Sequence, residues 1–334
     1  MNAIALPILI PLVMMVILMI VRSNKAAQWI SAAGTMALFA VSVWLLREVN
    51  LKEVLVLYLG GWEAPFGITL VIDRLSAVML STTALIGFAI AVYATKFFTI
   101  AHRESRFYFF FFALLMGVNG AFITGDVFNL YVWFEVMLMS SFVLITLGSK
   151  KTQLEGAIKY LALNLIGSMF FLAGLGLLYG KTGTLNMAHL AQILIDDRNA
   201  ILMNTSAVLF FIAFGIKAAV FPLFFWLPAS YHTPNITVSS LFAGLLTKVG
   251  VYALIRFFTL FFVQEPAFWH NLLLVIGGFT MVIGGMSASI YYDSRRILSY
   301  HIISQIGYMV MGLGIFTPLA IAGAIFFTIH NMLA

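Results

Sequence analysis

Along the chain, apolar residues come in long blocks, and polar or charged residues gather in the short stretches between them. The blocks occupy about 2–21, 27–46, 72–95, 107–124, 128–148, 154–179, 200–226, 236–263, 268–290 and 297–317, and an eleventh begins near Pro318. Each is close to the ~20 residues that an α-helix needs to cross a bilayer, and too long for a transmembrane strand. The pattern predicts an all-α polytopic membrane protein, with one transmembrane domain over 1–334 holding roughly ten full spans and a partial eleventh. The first block, Asn2 to Val21, has no basic residue ahead of it and exceeds the ~7–15 residues of a signal-peptide core, so it reads as a retained span. Strand-like alternation is confined to 54–68, where Gly60-Gly61 and Ala64-Pro65-Phe66-Gly67 predict a hairpin or surface turn. The last block stops soon after Pro318 with no polar flank or anchoring charge. The expectation is a fragment of a longer polytopic protein, truncated in the eleventh helix.

Composition agrees and narrows the function. The chain is 63% hydrophobic and 9% charged, against about 25% charged in soluble domains, which excludes a soluble enzyme, a nucleic-acid module and a disordered tail. The 18 Lys+Arg against 12 Asp+Glu are too sparse for a nucleic-acid surface; in a membrane protein the excess orients loops. Arg22, Lys25, Lys96, Arg103, Arg106, Lys150, Lys151, Arg295 and Arg296 fall in alternate loops and outnumber Arg47, Lys52, Arg74, Lys181 and Arg198 in the others. That bias places the N-terminus outside the cytoplasm. There is no cysteine, which excludes disulfides and thiolate-held metals or clusters. No phosphate loop, dinucleotide fingerprint or paired-histidine motif occurs, so no cofactor or metal is expected.

Most charges lie at block ends, where they are solvated or reach the interface. Glu135, Lys217 and Lys248 do not: they sit inside 128–148, just past the middle of 200–226, and at the centre of 236–263. At that depth each ion costs at least ~2.5–3.5 kcal/mol. An opposite charge, a water-filled cavity or loss of the charge itself must compensate, and the last two are what a proton path uses. One acid facing two lysines is a poor arrangement for packing alone; a static pair locking two helices is the structural alternative. A lysine can release its proton in an apolar site where an arginine does not, so a Glu–Lys pair that opens and closes would switch the proton affinity of its neighbour.

Pro222 and Pro228 follow Lys217, and a proline removes a helix hydrogen bond and clashes with the preceding turn. The helix is expected to unwind there, either as the broken helix of an ion path or as a simple kink. Gly215, Gly244 and Gly250 indicate close helix packing. Three histidines are further relay candidates: His232 between Pro228 and Pro234, His301 about one turn into its helix, and His330 in the last block. A loop or hydrogen-bonding role is the alternative for each. Glu155 and Lys159 read as a helix-end pair, Asp126 as an N-cap, and Arg256 as a snorkelling or pathway residue.

The segment Trp226-Leu227-Pro228-Ala229-Ser230-Tyr231-His232-Thr233-Pro234, with Lys248-Val249-Gly250-Val251-Tyr252-Ala253-Leu254-Ile255-Arg256, resembles the antiporter-like membrane subunits of respiratory complex I. So do Glu155-Gly156-Ala157-Ile158-Lys159-Tyr160 and Asp293-Ser294-Arg295-Arg296-Ile297-Leu298-Ser299-Tyr300-His301. Tyr231-His232-Thr233-Pro234 followed by Leu245-Leu246-Thr247-Lys248 is most similar to the D-subunit family of multisubunit (Mrp-type) cation/proton antiporters. The resemblance implies inverted repeats, the first over about 107–263 and the second starting near 268 and incomplete, each with a helix broken in mid-membrane. It implies that Glu135 matches the fifth-helix glutamate, Lys217 the lysine of the broken seventh helix, and Lys248 the eighth-helix lysine. His330 matches a histidine region of the eleventh helix, although relatives commonly carry a second histidine where Asn331 stands. The function it implies is exchange of a monovalent cation, Na+ with K+ as the alternative, for protons, driven by the proton motive force, as a non-enzymatic subunit with membrane-subunit partners in the plasma membrane. A redox-driven complex with the same membrane chemistry, or a structural subunit, are the alternatives.

Overall fold

The computed structural model describes residues 2–97, 101–148, 151–196, 200–263 and 266–334. Among them, seven helical stretches are long and apolar enough to cross a bilayer, and three shorter apolar helices accompany them. Helices occupy the predicted blocks with shifts of a few residues at their ends, apart from 200–226, where the helix stops at Ala218. Of the loop cations behind the expected orientation, Lys150 and Arg198, with the side chains of Lys96, Arg103 and Arg106, lie outside the described residues. The chain divides into two compact units.

The first unit comprises Met1–Ser149 and Asn235–Leu241. Its helices are α1 (Leu6–Ile20), α2 (Asn24–Lys52), α3 (Arg74–Phe97), α4 (Ala101–Ile123) and α5 (Val127–Thr146). The buried face of α2 is rich in small residues, Ala27, Ser31, Gly34, Thr35 and Ser42, which lets neighbouring helices approach closely without a hydrophobic driving force. The hydroxyls are kept off lipid by bonding to carbonyls of their own helix, Thr35 to Ser31 at 2.9 Å and Ser42 to Leu38 at 2.8 Å. Between α2 and α3 lies a hairpin of β1 (Leu55–Tyr58) and β2 (Thr69–Ile72), paired antiparallel from Leu55↔Ile72 to Tyr58↔Thr69. The second strand therefore lies beyond the 54–68 expected for the hairpin. Its Thr-Leu-Val-Ile sequence is largely β-branched and mostly buried, which favours a strand, and Gly60 and Gly61 take up the positive φ at the turn. The strand is anchored to the start of α5 by Gly125 N–H donating to the Thr69 carbonyl (2.8 Å). Asp126 caps α5, its carboxylate accepting from Asn129 N–H at 2.7 Å.

The second unit comprises Lys150–Pro234 and Phe242–Ala334. It contains α6 (Lys151–Thr182), α7 (Met187–Asp196), α8 (Ala200–Ala218), α9 (Trp226–Tyr231), most of α10 (Ile236–Leu260), α11 (Pro266–Ile290), α12 (Ser294–Ile315) and α13 (Pro318–Leu333). The short α7 falls in what reads from sequence as a connection; Asn186 starts it by accepting from the N–H groups of Ala188 and His189, each at 3.2 Å. The block 200–226 is not one helix, since α8 stops at Ala218.

One bond in the first unit answers a defect built into the sequence. Pro11 lies inside α1 and has no N–H to offer the Pro7 carbonyl one turn earlier. Asn119 of α4, fully buried, donates its Nδ2–H to that carbonyl at 3.0 Å. Asn119→Leu is expected to lower thermal stability by about 1–3 kcal/mol, the cost of an unsatisfied buried carbonyl. Pro11→Ala added to it restores a helical N–H and should recover most of the loss.

Candidate proton-translocation site

Lys217 is the penultimate residue of α8, and after Ala218 the chain leaves the helix. Ala219 turns to φ 62°, a left-handed conformation costing a non-glycine residue about 1–2 kcal/mol. Helix resumes with α9 at Trp226. The groups freed by the break find partners within the protein. Val220 N–H reaches back to the Gly215 carbonyl (3.0 Å) and Ala219 N–H to that of Ile216 (3.1 Å). The Ile216 carbonyl also accepts the indole N–H of Trp226 at 2.8 Å. Phe221 N–H donates to the Thr280 hydroxyl of α11 at 2.9 Å, and that hydroxyl donates in turn to Ile276 at 2.6 Å.

Lys248 is wholly buried on α10, its ammonium donating to the Ala243 carbonyl of its own helix. Two residues further on, Gly250 lies against the end of α8. A Cβ there would stand 2.5 Å from the Ala218 nitrogen and 2.8 Å from the Lys217 carbonyl carbon. The backbone at Lys217 is thus pressed onto the helix that carries Lys248, and only a residue without a side chain permits it. Nearer the start of α8, Phe210 and Phe214 close against Phe257 of α10, with ring centroids 5.0 and 4.6 Å apart, and against Phe171 of α6 at 5.5 and 5.1 Å. The half-buried Lys217 therefore sits between an aromatic plug and the break.

Glu135 belongs to the first unit, in the middle of α5. Its Oε1 is buried and has no hydrogen-bond partner among the described residues. Such a group is costly to bury without a partner.

The histidines differ in setting. His232 is half-buried just after α9, its Nδ1 against the Pro228 carbonyl, and its own carbonyl accepts from Arg295 at 3.3 Å. His301 lies on an exposed face of α12 with Nε2 3.3 Å from the Gln305 amide nitrogen. His330 is on an exposed face of α13, its ring centroid 6.1 Å from that of Phe327. Neither exposed histidine is brought to the α8–α10 crossing by a contact within the second unit. Glu155 and Lys159 form an exposed helix pair at 2.6 Å, and Arg256 donates to the Tyr252 hydroxyl at 3.0 Å. Among the described residues no group of three His, Cys, Asp or Glu could hold a metal ion.

The family model described as NADH:quinone oxidoreductase/Mrp antiporter, TM, matches residues 124–334, a stretch that holds every one of these ionisable candidates. The chain belongs to that family. Within the NADH:quinone oxidoreductase/Mrp antiporter family it is 46% identical to the D-subunit of the Na(+)/H(+) antiporter of Alkalihalophilus pseudofirmus, over 99% of this chain and 68% of the relative. It is 40% identical to the D-subunit of the Na(+)/H(+) antiporter of Bacillus subtilis, again over 99% and 68%. Among solved structures it superposes on a chain of an archaeal membrane-bound sulfane sulfur reductase with a TM-score of 0.95, at 28% identity, over 100% of this chain and 69% of that one. It superposes on a chain of the Mrp complex from a Dietzia species with a TM-score of 0.91, at 29% identity, over 99% and 62%.

Sequence reasoning singles out the ionisable candidates but not the residues that hold the broken segment after Lys217. Thr280 looks like any hydroxyl in an apolar helix, and Trp226 like packing. Arg295 reads as an orienting charge, and Gly250 as one small residue among several. Gly250→Ala should drive the α8 terminus off α10 and lower stability by about 1–3 kcal/mol, as overpacking does. Gly278→Ala on α11, where a Cβ meets open space, is the control and should leave the melting temperature unchanged.

Proposed function

We propose that the chain is a proton-translocating subunit of a multisubunit Na+/H+ antiporter of the plasma membrane, working with other membrane subunits and driven by the proton motive force. The observation that carries this reading is a wholly buried lysine, Lys248, on α10, the helix that Gly250 lets lie against the broken end of α8 bearing Lys217. Buried ionisable groups beside a helix break suit ion movement better than packing. The names of the two bacterial relatives, each the D-subunit of a Na(+)/H(+) antiporter, supply the cation and favour antiport over a redox-driven pump.

In this mechanism Glu135 takes up a proton, and the change in its charge alters the proton affinity of Lys217 and then of Lys248, so that a proton passes along a polar axis through mid-membrane. His232, at the end of the broken segment, relays protons at the mouth. His301 and His330 continue the axis across the exposed faces of α12 and α13. The inverted repeats over 107–263 and from 268 onward, and an N-terminus outside the cytoplasm, belong to the same proposal. The protein does no covalent chemistry and needs no cofactor for this role.

Glu135→Ala and Lys217→Ala should each abolish Na+/H+ exchange in membrane vesicles while the complex still assembles. Full exchange by assembled Glu135→Ala would show that the acid is not on the path. Flavin and iron–sulfur proteins among the subunits that co-purify would instead establish the redox-driven reading.

A further inference from the structure

The broken segment is held at both ends by one pair of helices. At its start, Phe221 N–H, four residues beyond Lys217, is accepted by Thr280 of α11 at 2.9 Å. At its end, Arg295 in the first turn of α12 donates through Nη1 to the carbonyls of His232 (3.3 Å) and Pro234 (3.0 Å). Between these grips, α9 packs against α6 and α12.

The pair that supplies both grips is stiff. A Cβ at Gly277 would meet the Met311 nitrogen at 2.6 Å, at Gly284 the Ser304 nitrogen at 2.5 Å, at Gly307 the Met281 nitrogen at 2.3 Å, and at Gly314 the Leu274 nitrogen at 2.4 Å. Backbone thus lies on backbone along most of the two helices, and Ser304 Oγ donates across them to Met281 at 2.9 Å. Close contact of this kind resists sliding, because packed interfaces are bistable rather than continuously deformable. Thr280 and Arg295 therefore move together.

We infer that the α11–α12 hairpin sets the geometry of the broken helix, with Thr280 and Arg295 as positioning residues for proton transfer at Lys217. The inference rests on the proposed transport function and adds to it the element that controls the break. A displacement of the hairpin pulls on Phe221 and on the His232–Pro234 carbonyls. That displacement reaches Lys217 through the short tight turn of Ala219 and Val220, whose N–H groups are tied to Ile216 and Gly215. The same pull moves His232, whose ring is anchored one turn back on Pro228. The titratable and charged groups on elements packed against α8 are Lys248, Tyr252 and Arg256 on α10, His270 on α11, and Lys151, the mutually paired Glu155 and Lys159, Tyr160, Tyr179 and Lys181 on α6. A shifted α8 terminus changes the distance from Lys217 to all of them.

The test uses the assembled complex in inverted vesicles, with native gels to read assembly. Thr280→Val keeps the side-chain shape and removes the acceptor, whereas Thr280→Ser keeps the acceptor. Thr280→Val is expected to move the pH of half-maximal exchange by about half a unit, about a threefold change in proton affinity, with Thr280→Ser near wild type. Arg295→Gln is expected to move it as well, with Arg295→Lys intermediate. Assembled Thr280→Val or Arg295→Gln with an unchanged pH profile overturns the inference, and an inactive Lys217→Ala in the same vesicles leaves the transport reading standing. Loss of assembly in both Thr280→Val and Arg295→Gln also overturns it, because the two residues would then be serving stability alone. Full exchange by Lys217→Ala brings down both readings.

Discussion

A bilayer offers the backbone no hydrogen-bond partner, so a helix can be interrupted inside it only where the protein itself supplies the missing donors and acceptors. That constraint shapes the region around Lys217. Once α8 ends at Ala218, the freed C=O groups of its last turn and the N–H groups that follow have to be accounted for. The chain meets the demand with a tight turn onto Gly215 and Ile216, an indole from Trp226 and a hydroxyl from Thr280. The break is therefore not a local flaw in one helix. It recruits residues from α9 and α11, and the fold of the second unit is arranged so that these side chains arrive where the backbone needs them.

Close approach is the second device, and it recurs for different ends. In the first unit, small residues on α2 make room for its neighbours, and the Met14 side chain of α1 lies directly over Gly34. At Gly250 the same absence of a side chain presses the end of α8 onto the helix carrying Lys248. In the α11–α12 hairpin it is repeated at Gly277, Gly284, Gly307 and Gly314, which lays backbone on backbone. Without the pull of water-driven burial, van der Waals contact and internal hydrogen bonds have to hold the helices together, and both improve as backbones approach.

The fold was largely legible because the bilayer imposes one length and one composition on each span, and the apolar blocks of the chain obey both. Departures came where a local device overrides the apolar pattern. Ile72 opens the apolar block 72–95, but together with Thr69, Leu70 and Val71 it pairs with Leu55–Tyr58 as a strand. The block 200–226 looks continuous by hydropathy, which does not register the positive φ at Ala219; Pro222 and Pro228 are the signals from which unwinding there is expected. The ionisable residues stood out as charges in an apolar background. Their supports did not, since Thr280 and Arg295 act on main-chain atoms far away in sequence, and no spacing along the chain reveals such a contact.

The two bonds from Arg295 end on carbonyls, not on side chains. A grip of that kind is blind to residue identity: whatever amino acid stands at position 232 presents the same carbonyl. The group at the mouth of the broken segment can therefore be exchanged over evolutionary time, a histidine for a non-titrating residue, while the segment stays seated. The scaffold and the chemistry it displays are free to diverge at different rates.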